Sequence, residues 1–194
     1  MITGGSERQY FVVSRLIFNM DTKYLKKRYK SILIIAANKK QHDVILDALN
    51  LIRKKDKHSF KKVLRCLKII FVPTTNGHLS AAYEKERMWI VEGGMLKDNQ
   101  VSFIASSIIH ETHHVSQYLS GHKYRLPNSE ISALNEQKKF LKKIRDNLSL
   151  DWLEKELKRK WWKSVVGNKK STKKLDNYLK EAEKLVEELK KLGL

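Results

Sequence analysis

The sequence predicts an α+β fold on three observations. Between residues 68 and 92 three short runs rich in β-branched and aromatic residues are separated by turn formers. On both sides of that block apolar residues recur at intervals of three and four, the spacing of amphipathic helices. No phosphate-binding glycine loop, internal repeat or nucleophile elbow interrupts the pattern.

The elements follow in order. Residues 9–18 are rich in β-branched and aromatic residues, with a periodicity undecided between strand and short helix. The apolar run at 32–37 lies between lysine-rich flanks and is six residues long. A membrane span needs about 20, so the run is expected as a buried strand or a piece of core helix. Residues 38–55 carry the helical stripe Val44, Ile45, Ala48, Leu49 and Ile52, and a second helix over 60–67 can be capped by Ser59. Residues 68–73 read as a strand stopped by Pro73, 74–77 as a turn, 79–83 and 87–92 as two further strands, together a small antiparallel sheet. Gly93-Gly94 ends it. Ser102 can cap a helix running to 119, followed by a loop over 120–127 and a helix from Asn128 to about 144. Two further helical patterns cover 150–163 and 173–192, joined by a linker at 166–172.

A chain of 194 residues with 41% hydrophobic and 31% charged residues has enough apolar material for a core and is not wholly disordered. It divides into a basic, mainly helical N-terminal elaboration over 1–58, a core over 59–146 and a basic helical segment over 147–194, all in one compact unit. One cysteine, Cys66, excludes an internal disulfide framework and Cys-rich zinc-finger classes. Cys66 reads as a small buried hydrophobe, and Trp152, Trp161 and Trp162 as core or helix-packing residues. The start of the chain lacks the basic and apolar stretches of a secretory leader, so a reducing, cytoplasmic location is expected.

The net charge of +19 is uneven: residues 1–20 carry +1, 21–70 carry +11, 71–137 carry −2 and 138–194 carry +9. The basic flanks can attract nucleic acid or another anionic surface. The heavy excess of lysine over arginine fits solvated helix faces better than base recognition.

The middle, slightly acidic block holds the sharpest motif. His110-Glu111-Thr112-His113-His114 reads H-E-x-x-H on the helix expected over 102–119. At about 100° per residue His110 and His114 project about 40° apart on one face, able to offer ring nitrogens to one metal, with Glu111 beside them. Seven His and thirteen Glu in 194 residues give an expected chance count of roughly 0.02. His113 lies to the other side of His110. A catalytic zinc needs a third protein ligand. The metzincin continuation is absent, since Gln117 and Ser120 stand where Gly and His are required. His122 follows a glycine close to the helix end. Glu130 is better placed, because a helix returning against the first can aim it at the metal and Ala133 allows close approach. Glu136 is the weaker competitor.

His110 to His114, then Gln117, Glu130, Ala133, Gln137, Phe140 and Leu141, resemble the small gluzincin-type zinc metallopeptidases. The resemblance takes in the strands before them and covers roughly residues 60–145. It implies a zincin-like fold: a twisted sheet above an active-site helix, with a cleft at its edge strand. It implies a Zn2+ cofactor held by His110, His114 and Glu130. It also implies hydrolysis of a peptide or protein substrate by zinc-activated water, with Glu111 as general base. Large gluzincins carry an acidic residue four positions beyond the ligand glutamate; here Leu134 stands there. Residues 80–83 can form an edge strand that pairs with an extended peptide; the oxyanion donor is left open, since Tyr118, His122 and Tyr124 are near in sequence but read as packing or loop residues rather than catalytic ones. Two other readings compete with the hydrolase: a zinc-binding but silent basic interaction module, and a protease recruited by nucleic acid.

Overall fold

Ile32 to Ala36 settle as a strand buried on both faces, and the sheet is built outward from it. The computed structural model describes residues 24–122 and 128–159, with the helical positions Lys180, Lys184, Glu187 and Lys191. Strands β1 (Leu25–Tyr29) and β2 (Ile32–Ala36) form an antiparallel hairpin that turns at Lys30, whose φ is 53°. Helices α1 (Lys39–Lys55) and α2 (Lys57–Cys66) follow, then β3 (Ile69–Val72), β4 (Ser80–Tyr83) and β5 (Met88–Val91). A short α3 (Gly93–Asp98) leads into α4 (Val101–Leu119), α5 (Asn128–Ile144) and α6 (Asn147–Arg159).

The fold is α+β, as expected, but the sheet has five strands in the order β1-β2-β3-β5-β4 and is mixed. β3 runs parallel to β2 and to β5, while β4 is antiparallel to β5. This corrects the expected small antiparallel sheet. The helical crossover α1–α2 returns the chain to the end where β2 began, so β3 lies parallel to it. β4 takes the outer edge, and β5 fills the place between β3 and β4. Strands β1 and β2 fall within the first 58 residues, a stretch expected to be mainly helical. The alternation of Ile32, Ile34 and Ala36 against Leu33 and Ile35 serves two apolar clusters on opposite faces of the sheet.

Helix boundaries follow the expected stripes, with differences in capping. Asn38 accepts the Gln41 N–H at 3.0 Å and caps α1. The cap of α2 is Asp56, not Ser59: Asp56 accepts the Ser59 N–H at 3.2 Å, so the helix starts one turn earlier than expected. Ser102 does not cap α4, which begins at Val101 behind Gln100. Its hydroxyl instead bonds Asp146. Cys66 is buried. Trp152 is half exposed and meets the Phe103 ring edge-on at 5.1 Å. Helix α6 is described as far as Arg159, and the expected positions 160–163 lie outside the described residues. The expected elements at 9–18 and 166–172, the stripe of the helix at 173–192, and Tyr124, Trp161 and Trp162 lie outside the described residues. Among the described residues no helix is long and apolar enough to cross a membrane.

Candidate metal centre and its edge strand

Helix α4 is the central element, packed against the helices α1, α2 and α5 and against β4 and β5. Every residue from Phe103 to Ile109 is buried, so the polar positions that follow are carried into the interior by the apolar ones before them. His110 and His114 stand one turn apart, with their Nε2 atoms 3.1 Å from each other. Glu130, in the first turn of α5, brings Oε2 to 3.5 Å from His110 Nε2 and Oε1 to 3.3 Å from His114 Nε2. All three side chains are largely buried.

These separations test whether a metal fits. Ligand atoms at zinc's usual 2.0–2.1 Å in a tetrahedron lie about 3.3–3.4 Å apart. The imidazole separation of 3.1 Å, and the contacts of 3.5 and 3.3 Å that two different oxygens of Glu130 make with His110 and His114, lie close to that length. Glu111 also lies close, its carboxylate within 4.8 Å of the two imidazoles. One of its oxygens, however, accepts a hydrogen bond from the Ser80 hydroxyl at 2.8 Å. His110, Glu111 and His114 form a buried group that can hold a metal ion, and Glu130 stands within reach of both imidazoles as a further carboxylate. The charges agree. Burial pushes the His114 imidazolium pKa down, but its hydrogen bond with Glu130 and the charges of Glu111, Glu130 and Glu84 outweigh burial, so the net shift is upward. The pocket favours a positive charge, which a proton or a metal can supply.

The packing of α5 on α4 sets the reach of Glu130. Ala133 is fully buried, as the close approach requires, and Gln137 donates to the Ser106 hydroxyl at 3.0 Å inside the interface. His113, on the neighbouring face, fixes the register of the two helices. Lys62 Nζ donates to its Nδ1 at 3.3 Å, so Nε2 carries the proton and donates to Ser132 Oγ at 2.9 Å. Burial, then the Lys62 charge, pushes the His113 pKa down to about 4. Glu136 pairs with Lys139 at 2.6 Å and does not join the cluster. Leu134 belongs to an apolar cluster with Leu141 and Leu153, and His110 Nδ1 has no hydrogen-bond partner among the described residues. The acidic support that large gluzincins place at this position is thus missing.

The edge strand supplies what the motif could not reveal. Ser80 donates to Glu111 and accepts from Trp89 Nε1 at 3.0 Å, which links β5, β4 and α4. The entry to β4 is mounted on Glu92, a fully buried carboxylate. It accepts from Thr75 Oγ1 at 2.8 Å and from the Leu79 N–H at 2.9 Å. Gly77 is required there, because a Cβ would stand 2.0 Å from Glu92 Oε2. Sequence reasoning missed Ser80, Trp89, Glu92, Lys62 and Ser132. Strand alternation places Ser80 and Ala82 on one face, but nothing local says that α4 faces them. A cleft beside His114 is lined by Glu84, Gln117, Tyr118 and His122. Tyr118 and His122 thus adjoin the site as rim residues.

No family model, no curated protein and no solved structure matches this chain.

Proposed function

We propose that the chain is a zincin-like, gluzincin-type metallopeptidase that uses Zn2+ to hydrolyse peptide bonds. The observation that supports this most is the convergence of the His110 and His114 imidazoles, 3.1 Å apart, on the Glu130 carboxylate at 3.5 and 3.3 Å, separations of the size that zinc ligands adopt. Zinc in such a site supplies Lewis acidity, lowering the pKa of water towards about 7 and polarising a carbonyl. His110, His114 and Glu130 would hold the ion. Glu111, oriented by Ser80, takes a proton from water and returns it to the leaving amine. The outer edge of β4 pairs with the backbone of an extended substrate and keeps the scissile bond beside Glu111.

Elemental analysis of the full chain, run beside a peptide-cleavage screen with and without chelator, tests the reading. Zinc at one equivalent and chelator-sensitive cleavage are expected. Glu111→Gln should keep the metal and lose turnover, and His114→Ala should lose both. A metal-free protein indifferent to added zinc would refute the proposal.

The basic surface supports a second, separable reading in which an anionic partner recruits the chain. Arg53, Lys54, Lys55, Lys57, Lys61, Arg65 and Lys68 are all exposed on or beside α1 and α2. Binding to nucleic acid that weakens steeply with salt is the expected signature.

A further inference from the structure

We propose that the cleft beside His114 receives the cationic side chain of a lysine or arginine in a peptide substrate, with Glu84 as counter-ion and Gln117 Oε1 as second acceptor. The substrate class rests on the hydrolase reading; the capture of the cation does not need turnover.

The cleft is partly open to solvent, has a volume of about 80 Å³ and is lined by Glu84, His114, Gln117, Tyr118 and His122. That volume is well below the range of ligand pockets and suits the end of one side chain rather than a whole small molecule. Among the described residues no Lys or Arg lines it, and Glu84 is the only carboxylate there. Glu84 is partly buried and forms no ion pair among the described residues.

Gln117 supplies the second observation. It lies one turn beyond His114 on α4, and its Oε1 is buried without a hydrogen-bond partner among the described residues. A carboxylate residue and a residue with an unpaired carbonyl oxygen, both lining one cleft, suit a ligand with several N–H donors and positive charge. An ammonium has three such donors and a guanidinium five. A carboxylate in the same place is repelled by Glu84, and an apolar group leaves both acceptors desolvated and unpaired. Tyr118, about half exposed, offers an apolar wall for the methylene stem of such a residue. The placement suits delivery by the backbone, since Glu84 directly follows β4, the edge against which a peptide strand can pair.

The test uses the full chain loaded with zinc and carrying Glu111→Gln, so that bound peptide survives. Three short fluorescent alanine-based peptides, identical except for one lysine, norleucine or glutamate, are titrated by anisotropy. The lysine peptide should bind about 10-fold tighter than the norleucine peptide, with glutamate weakest. Adding Glu84→Gln should bring lysine and norleucine to within about twofold, and Glu84→Lys should put glutamate first. The norleucine peptide reports whether each variant keeps a folded cleft. Bulk attraction cannot imitate the result, because a chain of net charge +19 repels the lysine peptide. Equal binding of lysine and norleucine, a preference that survives Glu84→Gln, or no binding of any peptide overturns the inference. A lysine preference in a wild-type chain that cleaves none of the peptides removes the hydrolase reading and leaves the cleft assignment standing. Cleavage without lysine preference does the reverse.

Discussion

Replacing Gly77 by alanine tests how the edge strand is mounted. The new Cβ would stand 2.0 Å from Glu92 Oε2, 2.5 Å from Cδ and 2.7 Å from Oε1. A carboxylate on a flexible arm can normally step aside, but Glu92 is fully buried and already bonded to Thr75 and Leu79. Moving it breaks both bonds, each worth about 1.5–3 kcal/mol for a charged acceptor. Partial relaxation and a gain of about 0.4–1 kcal/mol from a stiffer unfolded chain reduce the loss. A net cost of about 2–4 kcal/mol is expected, which lowers the melting temperature of a chain this size by about 5–15 °C. Urea titration and thermal melting followed by circular dichroism measure it. The double variant Gly77→Ala/Glu92→Ala isolates the cause. With the carboxylate gone the methyl group has room, so the double variant should be no less stable than Glu92→Ala alone, a coupling of about 2 kcal/mol. Gly77→Ala within about 0.5 kcal/mol of wild type, or simple additivity of the two changes, would refute the reasoning. Because Leu79 precedes Ser80, the same substitution should also loosen the Ser80 bond to Glu111 and lower any peptide turnover.

Four other outcomes are expected. Ser80→Ala strips Glu111 of a donor and Trp89 of an acceptor, costing about 1–3 kcal/mol by urea unfolding, and Ser80→Thr should recover most of it. For Asp56, burial pushes the carboxyl pKa up, but the Ser59 N–H, Lys143 and the Ser59 hydroxyl outweigh burial and hold it below the usual range. Its contribution is therefore complete above the ordinary carboxylate pKa and disappears as pH falls through the lowered one. Asp56→Ala should cost about 1 kcal/mol at neutral pH and nothing near pH 2, as unfolding at both pH values will show. Zinc at about 100 times its dissociation constant should stabilise the chain by about 2.7 kcal/mol, a rise of about 5–11 °C in a thermal melt. His114→Ala should show no such rise, and chelator should reverse it in wild type.

What the sequence discloses and what it hides divide along a physical line. The stripe Ile45, Ala48, Leu49 and Ile52 and the imidazoles at 110 and 114 are legible because helical neighbours recur every three or four residues. The reach of Glu130 is legible for a related reason: it opens the helix after a short loop, so α4 and α5 are adjacent in chain and in space. The sheet is not legible in this way. Nothing in residues 69–91 says that β5 inserts between β3 and β4, because strand order is decided by which edges remain open after α1 and α2 have crossed over. The parallel pairing, the outer position of β4 and the partner of Ser80 all depend on that choice. The candidate centre therefore has two halves of different origin. Its candidate ligands come from neighbouring helices, and the support of its carboxylate comes from a strand 31 residues earlier. Substitutions at His110, His114 and Glu130 should act on metal retention, whereas those at Gly77, Ser80 and Glu92 should act on the orientation of Glu111 with metal retained. That separation follows from the topology and is open to measurement in one set of variants.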